Sequence, residues 1–204
     1  FRSDKAYARL CENWYEDPSK TLKLVGVTGT IGKTSIASML WELHTQLGHM
    51  CGLISTNVIR IGSRVIEATH TTPDARQISS MLREMANFNC SHVFMEVSSH
   101  GLVQRRPSAL AFDGMIFTNL THDHLDYHKT MNRYFMAKAH LFTILARSGG
   151  KAIIQDLSQI AEDRYSKRLQ TYAQRLGLQK RVLSSFRDFE LHVPVEFNVR
   201  NANL

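Results

Sequence analysis

The sequence predicts an α/β domain: a mostly parallel sheet flanked by helices on both faces. Short apolar runs alternate along the chain with stretches of helical apolar spacing, the order that builds strand–helix–strand units. In one place, "TLKLVGVTG", a run reads as a buried strand and passes through a glycine turn straight into a helix.

The elements follow in order. Apolar spacing predicts a helix over about 5–15, stopped by "EDPSK", whose Asp-Pro marks a turn. After the strand at "TLKLVGVTG", a helix over 34–47 ends at Gly48, a residue type suited to closing helices. A short strand over 51–55 leads to a hairpin through "VIRIGSRVIEA", with Gly62 and Ser63 at its turn. A helix over about 74–87 precedes buried strands at "HVFMEVSS" and "GMIFTNL". A helix over about 132–146, a strand at "KAIIQ" and a helix over about 158–176 complete the alternation. The segment from Arg181 onward favours no element. Neither a repeat nor a low-complexity linker interrupts the chain, so residues 1–204 read as one domain. Ligands in such folds gather at the C-terminal ends of the strands.

Composition narrows the function. With 204 residues, 43% of them hydrophobic, one sizeable core is within reach. The apolar runs are far too short to span a bilayer, and residues 1–17 show no basic-then-apolar leader pattern, so no membrane association is expected. Cys11, Cys51 and Cys90 are odd in number and lack metal-type spacing, which points to a reducing, cytoplasmic setting. The net charge of +7 is spread over scattered residues without aromatic interleaving, which disfavours a nucleic-acid partner and favours phosphorylated small molecules.

Three stretches carry chemistry. In "GTIGKTS", Gly29 and Gly32 free the backbone to turn its N–H groups inward, Lys33 reaches terminal phosphates, and the Thr34 hydroxyl faces Mg²⁺ at a helix N-terminus. The strict phosphate-loop pattern is missed at its first glycine, where Val27 stands. In "HVFMEVSSHG", Glu96 closes an apolar run, where a strand-end carboxylate can hold Mg²⁺ opposite the loop. In "NLTHDHLDYH", three histidines and two aspartates within ten residues suit either a metal or a polar loop whose histidines satisfy one another.

Taken together, "GVTGTIGKTS", "THTTPDA", "FMEVSSHGLVQRR" and "FTNLTHDHLDYHKTMNRYFMAKAHLF" resemble the central ATP-binding domain of the Mur ligases. Within that family they are similar to the type that adds the third amino acid to UDP-N-acetylmuramoyl-L-alanyl-D-glutamate. Folylpolyglutamate synthase shares the phosphate loop but not "TTPDA" or "SSHGLVQ". The resemblance implies a phosphate-loop NTPase-like fold and an ATP site formed by Gly29, Thr30, Ile31, Gly32, Lys33, Thr34 and Ser35, with Asn119, Asn198 and Asn201 around the nucleotide. It implies Thr34 and Glu96 on one Mg²⁺, His124 on a second, and Lys138 carbamylated by CO₂. It places His70, Thr71, Thr72, Ser98, Gln104 and Arg106 against the UDP-MurNAc-dipeptide substrate. The implied reaction is ATP-driven amide ligation in peptidoglycan precursor synthesis, through an acyl phosphate on the D-glutamate side chain attacked by the amine of a diamino acid. Lys33, Lys138 and His124 are its expected catalytic residues, in a monomer.

The resemblance also implies that the family's N-terminal uridine-nucleotide-binding domain and C-terminal amino-acid-binding domain are absent from this chain, which is then not expected to ligate alone. Ile31 stands where relatives carry asparagine. Two readings stay open: the domain of a ligase, or a nucleotide-binding or scaffolding module that has lost its chemistry.

Overall fold

In the computed structural model, which describes residues 3–155 and 164–183, the apolar runs fold into one sheet. Its strands are β1 (Lys23–Thr28), β2 (Cys51–Ile54), β3 (Val58–Ile61), β4 (Arg64–Glu67), β5 (His92–Glu96), β6 (Gly114–Phe117), β7 (Lys151–Gln155) and β8 (Lys180–Leu183). They lie in the order β4-β3-β2-β5-β1-β6-β7-β8. From β2 across to β8 in that order every neighbouring pair is parallel, and β3 alone runs the other way, antiparallel to both β2 and β4. The chain builds outward from β1 in one direction, returns through β5, and continues on the other side through β6. That reversal makes the β5-β1-β6 edge the place where a crevice opens.

The helices are α1 (Ser3–Trp14), α2 (Lys33–Gln46), α3 (Ala75–Asn87), α4 (Ser99–Val103), α5 (Leu125–His128), α6 (Met131–Ser148) and α7 (Arg164–Arg175). Alternate residues of the strands enter two cores. Val27, Leu53 and Phe94 pack with Ala37, Ile36, Leu40 and Trp41 of α2 on one face. Leu24, Val93 and Met95 face Ile78, Leu82, Phe135, Phe142 and Leu169 from α3, α6 and α7 on the other. Helices therefore cover both faces, as the alternation predicts.

The predicted long elements form within a few residues of their expected ends. Asp74 caps α3 with a complete capping box: its carboxylate accepts from the Gln77 amide, and the Gln77 side chain accepts in return from the Asp74 amide. The short helices α4 and α5 and strand β8 have no counterpart in the sequence reading. Elements of four or five residues are too brief to show a period. The first residues of the predicted helix over 158–176 lie outside the described residues. No helix among the described residues is long and apolar enough to cross a membrane.

Candidate nucleotide and metal site

The loop between β1 and α2 takes its shape from two glycines. Gly29 has φ 151°, and a Cβ there would collide with Thr118 Oγ1 and press on the Asn119 backbone. Gly32, at φ 86°, is the left-handed cap of α2. Between them the loop is clamped by the end of β6. Asn119 Oδ1 accepts from the Ile31 amide at 3.0 Å, Asn119 Nδ2 donates to the Ile31 carbonyl at 3.0 Å, and Thr118 Oγ1 donates to that same carbonyl at 2.7 Å. The Thr30 amide donates to the Asn119 carbonyl, and the Thr30 hydroxyl meets Tyr134 OH at 3.1 Å. Ile31 thus contributes backbone to the clamp and points a 66% exposed side chain outward.

Two lysines converge on one carbonyl. Lys33 Nζ donates to Gly29 O at 3.2 Å and Thr30 O at 2.9 Å, while Lys138 Nζ, from the middle of α6, donates to Gly29 O at 2.6 Å. Lys138 is 1% exposed, with its ammonium 4.7 Å from the centre of the Tyr134 ring. Burial, reinforced by the Lys33 charge, pushes the Lys138 amine well below the ordinary lysine range, and Asp123 only partly opposes this. Burial also lowers Lys33, against the pull of the Glu96 and Asp123 carboxylates. The local pattern of "YFMAKAHLF" would leave Lys138 a solvated helix lysine, whereas the docking of α6 buries it.

Glu96, at the end of β5 and fully buried, faces the loop. Its Oε2 accepts from Thr34 Oγ1 at 3.0 Å and from Thr56 Oγ1 at 3.1 Å, and its Oε1 accepts from the Thr56 amide at 2.8 Å. A carboxylate and a hydroxyl oxygen side by side at a helix N-terminus form a hard-oxygen donor set, which fits Mg²⁺. Mg²⁺ ordinarily takes one or two such protein ligands and fills its other positions with waters and phosphates. Ser35 lies on the same first turn of α2.

The histidine loop is not a self-contained metal cluster: among the described residues no three His, Cys, Asp or Glu side chains are placed to hold an ion. His128 is buried and bonded through Nε2 to Ser99 Oγ at 2.9 Å, a structural role. His124 takes a left-handed backbone (φ 51°) and sets its ring edge-on to Tyr134 and to His100. That position puts it on the Lys138 side of the site.

Beyond Glu96 a polar ledge continues. Thr72 Oγ1 accepts from the Ser98 amide at 2.9 Å and lies 3.1 Å from both the Glu96 carbonyl and Ser98 Oγ. Arg106 donates to the Thr72 carbonyl and, through Nε, to Gln104 Oε1 at 2.9 Å. Thr71 is tied to Thr56 by a 3.2 Å hydroxyl contact. His70 stands apart, exposed and bonded to its neighbour Thr69. Asn198 and Asn201 lie outside the described residues. Sequence reasoning missed Thr56 and Tyr134. Thr56 follows the end of a parallel strand, the same placement that singled out Glu96, and so carried a usable signal.

The family description "Mur ligase middle domain" matches residues 27–193. A UDP-N-acetylmuramoyl-L-alanyl-D-glutamate--2,6-diaminopimelate ligase from Parabacteroides distasonis is 51% identical over 140 residues, 69% of this chain and 29% of that protein. A ligase of the same name from Listeria innocua is 40% identical over 169 residues, 83% of this chain and 34% of that protein. The chain therefore spans about a third or less of the length of these relatives. A solved structure of a ligase so named superposes with TM-score 0.72 at 29% identity, over 89% of this chain and 35% of the other. A Mycobacterium tuberculosis folylpolyglutamate synthase shares the fold, with TM-score 0.68 at 15% identity over 87% of this chain and 46% of its own.

Proposed function

The chain belongs to the Mur ligase family as a middle domain, and we propose that the protein it represents is an ATP-dependent ligase of peptidoglycan precursor synthesis. The substrate carboxylate is the D-glutamate side chain of UDP-MurNAc-L-Ala-D-Glu, and the incoming amine is that of diaminopimelate, the amino acid in the relatives' names. The observation that carries this reading is the meeting of Lys33 and Lys138 on the Gly29 carbonyl beside the Thr34–Glu96 pair. It provides cations for phosphates and oxygens for Mg²⁺, and no nucleophilic side chain is required.

The loop and the first turn of α2 hold the β- and γ-phosphates through backbone N–H groups, with the Lys33 amine turned onto them. Thr34 and Glu96 would hold one Mg²⁺ and His124 would contribute to a second; bound Mg²⁺ would supply charge neutralisation at the phosphates. The dipeptide carboxylate, oriented from the ledge of Thr71, Thr72, Ser98, Gln104 and Arg106, attacks the γ-phosphorus. ADP leaves, an acyl phosphate remains, and the amine then displaces phosphate and loses a proton. The positioned charges do most of the work.

Lys138 reacts with CO₂ as the neutral amine, forming an N–C bond and releasing one proton, and so becomes an anionic carbamate. Its depressed proton affinity supports this, because burial favours the neutral, nucleophilic amine over the ammonium. Growing the protein in ¹³C-bicarbonate should give a carbamate carbon signal that disappears in Lys138→Arg. The activity itself is tested on the full-length protein by ADP release, which should require both UDP-MurNAc-L-Ala-D-Glu and diaminopimelate. ADP release unchanged on omitting the dipeptide would refute the ligase reading.

A further inference from the structure

At the opposite end of the sheet from the phosphate loop lies a cavity of about 260 Å³, lined by Lys5, Arg9, Lys20, Ser108 and Arg147 among others. Its walls are the segments that lead into the starts of β1, β6 and β7, together with α1, so it shares no residue with the nucleotide site. Four cationic side chains converge there. One carboxylate opposes them: Asp17 bonds Arg9 at 3.4 Å and Lys20 at 2.6 Å. Among the described residues, Lys5 and Arg147 have no carboxylate within ion-pair distance.

A second observation points the same way. Ser108 is 5% exposed, and its Oγ is the one buried side-chain polar atom among the described residues with no hydrogen-bond partner. A buried hydroxyl without an acceptor is costly, and such exceptions mark places where an ion or water completes the structure. The neighbouring Ser148 hydroxyl is occupied, accepting from the Phe112 amide at 3.1 Å, so the vacancy is specific to Ser108. An unmatched O–H donor beneath a ring of lysine and arginine calls for an anion rich in acceptor oxygens. The cavity suits a group smaller than a drug-sized ligand.

We propose that this cavity is a second anion site, independent of the phosphate loop and of the ligase reading, that binds a phosphoryl or pyrophosphoryl group. Arg147 and Lys5 supply the unpaired charge, Arg9 and Lys20 turn from Asp17 toward the ligand, and Ser108 donates its hydroxyl to a phosphate oxygen.

The test uses the whole chain carrying Lys33→Ala, without Mg²⁺, so that the phosphate loop does not compete. Inorganic pyrophosphate and glycerol 3-phosphate are titrated separately, which distinguishes a free polyphosphate from a phosphate ester, and binding is followed by calorimetry and by amide shifts in the ¹⁵N-labelled protein. Saturable binding of either is expected, with shifts at Ser108, Ala109 and Arg147. Arg147→Glu, at an exposed position, should weaken it at least about tenfold, and Ser108→Ala about threefold without lowering the melting temperature. The proposal fails if neither probe saturates, if the shifts are confined to residues 29–35, or if Arg147→Glu leaves the affinity unchanged. It also fails if an acidic peptide binds there and pyrophosphate does not.

Discussion

The two ends of the sheet both gather titratable side chains, and they do so differently. At the C-terminal ends of β1, β5 and β6, Lys33, Lys138 and Glu96 are of opposite sign, and each is held by named oxygens or amides from other elements. At the N-terminal end of β5, His92 meets His44 and His49 ring to ring, with centroids 4.9 and 5.1 Å away, and Lys23 and Asp113 nearby. The first group has fixed hydrogen-bond partners, carbonyl oxygens for the lysines and hydroxyl and amide donors for the carboxylate, and reads as a site. The second is a packing arrangement whose members repel one another once charged. The difference teaches that clustering of ionisable residues marks function only when complementary groups orient them.

Substitutions at the C-terminal end should alter nucleotide binding, and those in the His92 cluster only stability. The largest effect is expected for Glu96→Ala. It removes the carboxylate facing Thr34 and strands the Thr56 amide, so Mg-ATP affinity should fall about 100-fold, or ~2.7 kcal/mol, with a loss of about 1–3 kcal/mol in stability. Calorimetry and urea unfolding read the two separately.

Lys138→Met comes next. With its folded pKa well below the ordinary 10.5, Lys138 binds a proton more readily in the unfolded chain, so stability rises with pH across the interval between the two values. In CO₂-free buffer Lys138→Met should flatten that rise and melt no lower than the parent near pH ~7. A steeper pH dependence would show that the amine is not held against its charge.

Tyr134→Phe removes the hydroxyl beside Thr30 and should cost about 1 kcal/mol. Burial, the main cause, pushes the Tyr134 phenol up to about 12. The tyrosinate absorbance step near that pH should vanish in the variant. Because the folded pKa is raised, the contribution of this group to stability is complete below the ordinary value of 10.0 and is lost as pH climbs toward about 12.

The smallest effect belongs to the other end. His92 is depressed below the ordinary 6.5, first by burial, then by His44, His49 and Lys23, against Asp113. Its stabilising share is present above 6.5 and is lost as pH falls and the unfolded chain takes up the proton first. His92→Asn should therefore soften the acid limb of a melting-temperature profile and leave Mg-ATP binding untouched. A change in nucleotide affinity would break the contrast between the two ends.

Much of the fold was legible because buried parallel strands and amphipathic helices write long, period-bearing runs, and Gly29, Lys33, Thr34 and Glu96 sit at strand and helix ends that local pattern can locate. Lys138 was legible only through family resemblance: in "YFMAKAHLF" nothing local says that a lysine in the middle of a helix turns inward to a carbonyl 109 residues away. Tyr134 was illegible for the same reason, since its partner Thr30 comes from the phosphate loop and the contact depends on how α6 docks. Helices as short as α4 and α5 depend on caps such as the Ser98 hydroxyl on the Gly101 amide, which leave no periodic trace.

Ile31 is the residue that departs most from the family pattern, and in the fold it lends its backbone to the Asn119 clamp while its side chain points outward. The most direct test of the account is a calorimetric titration of Mg-ATP into the chain and into Ile31→Asn. Saturable binding by both, within about threefold of each other (~0.7 kcal/mol), is the predicted result. Binding by neither, or by the asparagine variant alone, would contradict it.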